Sequence, residues 1–304
     1  MKNPNFKVVL LSVGLGSLAL HTGYSTTLLE FAGGGSDAAP VTDQVDAYTG
    51  MAGGGWAGAW TPGNGTGATT TRTVVDTDPF PSGGNYLQMN YARTSNNSSS
   101  RGGVLRQFSN DPGAGGIDMT AAYRVDFDFR IDAANSAQTA SSDQFLFSAE
   151  TIAQDQAFST NTAWRIWGRA DLGWTVFDGS GAGTGSVINL NTSALNSFVT
   201  GSVYNFSVLV DPTTNTYDVE IGFQGTTYLA SDYNGGDALG FWTDDAAPTF
   251  LSFRSTRAFD AVTNQTVDWS LDNIQAVPEP RVMGLLFGAA TFGLILLRRR
   301  RTAI

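Results

Sequence analysis

From Tyr123 the chain alternates with a period of two: Tyr123, Val125, Phe127, Phe129 and Ile131 are apolar, and Arg124, Asp126, Asp128 and Arg130 between them are charged. Successive side chains of a strand point to opposite faces, so this pattern predicts a strand with one buried and one wet face. Its charged residues read as solvated cross-strand partners. The alternation returns at Tyr204, Phe206, Val208 and Val210, and again at Tyr217, Val219, Ile221 and Phe223. Between these runs lies Asp211-Pro212-Thr213-Thr214-Asn215-Thr216, where the fixed φ of proline suits the first central position of a turn. The three features together predict a β-hairpin. Further strands are expected at Phe145 and Phe147, from Trp164 to Trp167, from Leu172 to Phe177, at Phe250 to Phe253, and from Val267 through Leu271 to Val277. Upstream, short strands fit at Arg72 to Val75, Tyr86 to Tyr91 and Val104 to Phe108. A glycine-rich segment over 49–66 contains Gly55-Trp56-Ala57-Gly58-Ala59-Trp60. No helical periodicity of useful length occurs between Thr27 and Val277, and no repeat has a fixed period.

Ten or more short strands without a helix or a proline-rich linker predict an all-β fold. The simplest form is a single two-sheet antiparallel sandwich, a jelly roll, over residues 26–276. Composition changes this picture little, since 36 glycines and many Ser, Thr, Asn and Asp residues suit turns. Aromatic residues make up 12% of the chain and recur throughout, which excludes chain-wide disorder.

The two ends follow other patterns. Lys2 and Lys7 precede a short apolar run from Val8 to Leu20, and small or polar residues follow, as in a cleavable signal peptide over residues 1–25. At the other end, residues 277–304 hold Val277-Pro278-Glu279-Pro280, then Arg281, then 16 uncharged residues from Val282 to Leu297, then Arg298, Arg299, Arg300 and Arg301. As a helix those 16 residues span about 24 Å. Arginines at both ends can snorkel to the interfaces, which makes up the shortfall against a hydrocarbon core of about 30 Å. A single transmembrane helix is therefore expected. The arginine tetrad keeps the C-terminus cytoplasmic and puts the body outside.

Charge and missing residues narrow the function. Ten of the 17 basic residues lie between the signal peptide and Arg281, all of them arginine, against all 27 acidic residues, so this part carries a net charge of −17. Such a surface disfavours nucleic acid and anionic lipid, whose binding draws on Lys and Arg. There is no cysteine, hence no disulfide, thiolate nucleophile or zinc-cysteine site. The one histidine, His21, falls in the leader, which removes Ser-His-Asp catalysis and His-ligated metals from the mature body.

Pro-Glu-Pro, a single apolar span and a terminal arginine cluster in that order resemble the PEP-CTERM sorting signal of Gram-negative bacteria. The resemblance implies that Pro278, Glu279, Pro280 and Arg298 to Arg301 form a signal read by an exosortase, a membrane cysteine protease that cleaves near Pro-Glu-Pro. It implies an inner-membrane intermediate, then the cell surface or extracellular matrix. Proteins of that family accompany exopolysaccharide, so an extracellular polysaccharide partner is implied too. The turn at 211–216 and the closing Asp268-Trp269-Ser270-Leu271-Asp272-Asn273-Ile274 resemble the concanavalin A-like and laminin-G-like superfamily, and 55–60 resembles a segment near the start of exported PEP-CTERM proteins with such a body.

Three kinds of chemistry are open to the body. Polysaccharide hydrolysis needs two carboxylates about 5 to 9.5 Å apart. Asp126 with Asp128, and Asp218 with Glu220, each share a strand face, but none of the four glutamates, Glu30, Glu150, Glu220 and Glu279, stands in the Glu-x-Asp-x-x-Glu motif of the laminarinase-like members. An exposed polar face accounts for these pairs. Calcium wants six to eight oxygen ligands, and Asp76, Asp78 and Asp272 are weak candidates without a complete loop. No cofactor is expected beyond a structural calcium. A glycan would stack on an aromatic ring, and Trp242 with Asp244 and Asp245 is the best-placed candidate in a loop; tryptophans at strand periodicity are expected in the core. The expected function is a non-catalytic exported surface or matrix protein. The alternatives are a carbohydrate-binding lectin-like module and a hydrolase using paired carboxylates.

Overall fold

The computed structural model describes residues 27–29, 41–42, 57, 60–65, 67–75, 80, 86–95, 101–108, 118–134, 143–151, 162–169, 172–190, 194–244, 248–256 and 266–278. The first half of the chain supplies β1 (Thr27–Leu29), β2 (Val41–Thr42), β3 (Thr61–Asn64), β4 (Ala68–Val75), β5 (Tyr86–Arg93), β6 (Gly102–Gln107), β7 (Tyr123–Ala134) and β8 (Asp143–Glu150). There follow β9 (Thr162–Arg169), β10 (Gly173–Gly179), β11 (Gly185–Asn189), β12 (Val203–Asp211), β13 (Thr216–Phe223), β14 (Thr226–Leu229), β15 (Leu239–Gly240), β16 (Phe250–Ser255) and β17 (Thr266–Pro278). A 3-10 turn, Ala230–Tyr233, is the one helical element named among the described residues. The predicted signal peptide and the predicted transmembrane helix lie outside the described residues, among which no helix is long and apolar enough to cross a membrane.

Among the described residues all strand pairings are antiparallel and fall into two sheets. The ten-stranded sheet runs β14-β13-β12-β7-β17-β5-β4-β2, with β1 on β17 and β15 on β13. The seven-stranded sheet runs β11-β10-β9-β8-β16-β6-β3. The chain crosses from one sheet to the other between β2 and β3, β3 and β4, β5 and β6, β6 and β7, β7 and β8, β11 and β12, β15 and β16, and β16 and β17, so the two layers are interleaved in sequence.

The periodic runs became strands because each buries one face. Tyr123, Val125, Phe127, Phe129 and Ile131 of β7 are all buried, as are Tyr204, Phe206, Val208 and Val210 of β12. Across the sandwich Phe127 meets Phe147 of β8 edge-on at 5.3 Å, and Trp174 of β10 meets Phe206 at 4.8 Å. Rings offset in this way gain attraction beyond area burial alone, about 0.5–1.5 kcal/mol per pair. The β12–β13 turn is fixed as its sequence predicts. The Asp211 carboxylate accepts the Thr213 N–H at 2.9 Å and its hydroxyl at 2.6 Å, which holds the acid below its ordinary pKa, and Asn215 takes the left-handed φ of 54°. In β17 a bulge between Asp272 and Gln275 places Asn273 at φ 51°, and its amide donates to Asp128 at 2.7 Å.

The outer faces of the two sheets differ. On the ten-stranded sheet Asp126 and Asp128 of β7 stay partly exposed and accept from Ser207 at 2.7 Å and Asn205 at 2.6 Å. Their arginines bond along the strand. Arg124 bonds Asp126 and Arg130 bonds Asp132, two residues along the same strand, and β12 places the apolar Leu209 and Val203 opposite the two arginines. The central strands of the seven-stranded sheet have no comparable wet face: every residue from Phe145 to Glu150, from Thr162 to Gly168 and from Leu251 to Ser255 is buried.

Candidate functional site

That doubly buried sheet gathers the charges. Along β8 the period of two sends Phe145, Phe147 and Ala149 into the main core and leaves Leu146, Ser148 and Glu150 on the outer side. The same alternation puts Arg165 and Trp167 of β9, Phe177 of β10, and Ser252 and Arg254 of β16 on that side. Register brings them together, since Ser252 lies opposite Ser148, which lies opposite Arg165. Arg254 forms an ion pair with Glu150 through Nη2 and Oε1, with side chains 0% and 2% exposed. The Arg254 Nε donates to Ser252 Oγ at 2.5 Å, and Ser148 Oγ donates to the same Glu150 oxygen at 2.9 Å. The second oxygen, Oε2, is buried with no hydrogen-bond partner.

Burial sets the electrostatics. It raises the Glu150 carboxyl above its ordinary value, outweighing the opposite pulls of Arg254, Ser148 and Arg165. It also lowers Arg165 to about 10, against the charge of Glu150 that favours its ionised form. Arg165 donates to Thr162 Oγ1 at 3.2 Å and lies 4.7 Å from the Trp242 ring centroid and 5.9 Å from that of Phe177. Cations over an aromatic face in a desolvated place gain about 2 kcal/mol. Leu146, Trp167 and Phe177 form a small apolar cluster beside them, with Trp242 packed against it. Glu150 is the single carboxylate among the residues named on this face, so hydrolysis by an acid pair finds no pair there.

Trp242 is half-buried, not open as its loop position suggests. Its N–H donates to Ala163 O at 2.9 Å, its C=O accepts from Gly183 at 2.8 Å, and its ring meets Phe177 edge-on at 5.3 Å. Asp244 is exposed two residues on, and its carboxylate occupies the place a Cβ would take at Gly181, whose φ is +78°. Asp245, Asp76 and Asp78 lie outside the described residues, as do Trp56, Glu279, Pro280 and Arg298 to Arg301. Asp272 is buried at the β17 bulge, and Pro278 ends β17. Among the described residues no three His, Cys, Asp or Glu side chains converge on one point. The carboxylate pairs fall on the outer face of the ten-stranded sheet. Asp126 and Asp128 are bonded to Ser, Asn and Arg, Asp218 accepts from the N–H groups of Val219 and Ser231 at 2.8 and 3.0 Å, and Glu220 is exposed. Trp60, Trp164, Trp174 and Trp269 are core residues, as the strand periodicity predicts.

The Glu150–Arg254 pair was not found by pattern. Its only signal is a glutamate and an arginine standing in segments otherwise free of charge, at 145–150 and 250–255.

No protein-family model matches the chain, and no curated protein matches it. Among solved structures it is similar to an alginate lyase from Klebsiella pneumoniae, at 8% identity over 68% of this chain and 84% of that one, with a TM-score of 0.44. It is also similar to arcelin-5, a lectin-like defence protein from Phaseolus vulgaris, at 13% identity over 73% and 99%, with a TM-score of 0.42. A third is the cellulose-induced protein Cip1, at 14% identity over 71% and 90%, with a TM-score of 0.41. Likenesses this distant carry no argument about ligand or activity.

Proposed function

We propose that this chain is a non-catalytic cell-surface or extracellular-matrix protein of a Gram-negative bacterium, exported by its signal peptide and sorted by an exosortase. The observation that carries the proposal is the order of parts at the C-terminus: Pro278-Glu279-Pro280, 16 uncharged residues, then Arg298 to Arg301. The span holds the exported chain in the inner membrane, the tetrad fixes its direction, and cleavage near Pro-Glu-Pro releases the body. The body associates with secreted polysaccharide.

The course of β17 supports this division. β17 pairs with both β5 and β7, and its last register partner is Tyr123, opposite Pro278. A cut beyond Pro278 therefore leaves the ladder whole, whereas one upstream removes part of a central strand. Cargo and tag meet at the Pro-Glu-Pro.

The test is processing in an exosortase-bearing host. Replacing Glu279 with Ala, or deleting Arg298 to Arg301, is expected to leave the unprocessed mass, while the unaltered chain loses its tail. Equal processing of all three chains would overturn the reading. A second reading, a glycan-binding module, is favoured by the half-exposed Trp242 ring beside Asp244. It predicts glycan-array binding that Trp242→Ala abolishes, and no binding by the unaltered chain counts against it.

A further inference from the structure

One flank of the sandwich ends in two strands that have a neighbour on one side only among the described residues. In the seven-stranded sheet the edge strand is β11, paired with β10; in the ten-stranded sheet it is β14, paired with β13. The 3-10 turn Ala230–Tyr233 packs against β11, β13 and β14, which puts both edges on the same flank. Val187, Leu229 and Tyr233, three of the four exposed large hydrophobics among the described residues, lie there; Val187 is 40% exposed. The opposite flank closes differently. There β2 has two residues, and β3 carries Pro62, which has no N–H to donate.

An unpaired strand edge is a template for another strand, and proteins blunt such edges with charge, proline or shortness. β11 has none of these protections. It runs for five residues, Gly-Ser-Val-Ile-Asn, nearly all exposed, inside a stretch of 32 residues, 179–210, without a charge. The exported part carries −17, so two copies repel over most of their surface. β11 itself adds no charge to that repulsion; the acids beside it are Asp178, opposite Ser186, and Asp232 of the 3-10 turn.

The backbone of β11 specifies how they meet. The Leu190 N–H donates to Trp174 O at 3.1 Å, and the Thr184 C=O accepts from Ser180 N–H at 2.8 Å, so the even-numbered groups face β10. By the alternation of an antiparallel ladder, the N–H and C=O groups of Gly185, Val187 and Asn189 face away from it. These three residues are symmetric about Val187. We propose that β11 pairs antiparallel with β11 of a second copy of this chain, centred on Val187. In that register Val187 opposes the partner's Val187, Gly185 opposes the partner's Asn189, and each such pair exchanges both of its hydrogen bonds. The contact is isologous and closes as a two-fold dimer, and with Pro62 on the opposite flank it does not propagate into a fibre.

Cysteine cross-linking tests this cleanly, because the chain has no cysteine of its own. In the symmetric register Ser186 opposes the partner's Ile188 at a non-hydrogen-bonded place, where a disulfide fits. Purified full chains bearing Ser186→Cys and Ile188→Cys are mixed under mild oxidation and run on non-reducing gels. The mixture is expected to give several-fold more covalent dimer than either variant alone. Leu209→Cys, 46% exposed in the middle of the ten-stranded sheet, is expected to give none. Adding Asn189→Pro to both chains removes an outward N–H that β10 does not use, and dimer is expected to fall about tenfold with an unchanged circular dichroism spectrum. Equal dimer from the mixture and the single variants, equal dimer from Leu209→Cys, or no effect of Asn189→Pro in a folded chain overturns the proposal. The outcome is separate from sorting, which is read by mass at the C-terminus.

Discussion

Replacing Arg254 with Met strands Glu150 in a place where water cannot reach it. Both side chains of the pair are buried, and Ser148 also donates to the Glu150 carboxylate. Removing one partner of such a pair costs about 3–5 kcal/mol, because the remaining charge stays buried with its ion-pair partner gone and Arg165 offsetting only part of it. The cost depends on pH, and its direction follows from the raised carboxyl. The folded state holds the Glu150 proton more tightly than the unfolded chain does. Its contribution to stability is therefore fully present below the unfolded value near 4.5 and is lost as pH rises through the folded value. Arg254 keeps that folded value down, so in Arg254→Met it climbs, and each further unit of pH over which only the unfolded chain is ionised costs about 1.4 kcal/mol. Urea unfolding followed by fluorescence of the buried tryptophans should show a loss of about 3–5 kcal/mol at pH 8 that shrinks to about 1 kcal/mol near pH 4. Replacing Glu150 and Arg254 together with Met should recover most of the loss. A loss that is the same at both pH values, or smaller than about 1 kcal/mol at pH 8, would refute the reasoning.

Other consequences are equally direct. Phe129 packs against Phe145, Phe147, Trp174 and Trp269, with ring centroids 4.9 to 5.8 Å apart, so Phe129→Ala should cost about 3–5 kcal/mol in the same unfolding assay. Gly103→Ala should destabilise by about 2 kcal/mol or more, since a Cβ there runs into the Phe253 carbonyl and the Arg254 backbone on β16, neither of which can move aside cheaply. Asp128→Ala, on the wet outer face, should stay within about 1 kcal/mol because water replaces the carboxylate as partner for Asn205 and Asn273. Incubation of the protein with polysaccharides should release no reducing sugar; release that is lost on Glu220→Gln would reinstate hydrolysis by a carboxylate pair.

The fold was legible where one face of a strand is wet. The alternation over Tyr123 to Ile131 and the hairpin from Tyr204 to Phe223 are β7, β12 and β13, because solvent on one side imposes polar residues at every second place. The seven-stranded sheet was harder to read. With both faces buried its central strands lose the alternation, and Glu150, Arg165 and Arg254 look like surface charges until the register brings them together. The edge strand β11 is silent in the sequence for the opposite reason: it buries almost nothing, so no apolar pattern marks it beside the glycines at 181, 183 and 185. Trp242 lies where its loop sequence puts it, but Arg165 over its ring takes part of the stacking surface that a sugar would use.

The central claim, that Pro278-Glu279-Pro280 divides a processed tag from a folded cargo, is tested most directly by the intact mass of the secreted protein from matched strains with and without an exosortase. The account predicts a C-terminus near Pro280 in the first and an unprocessed, membrane-held chain in the second. The same C-terminus in both strains would contradict it.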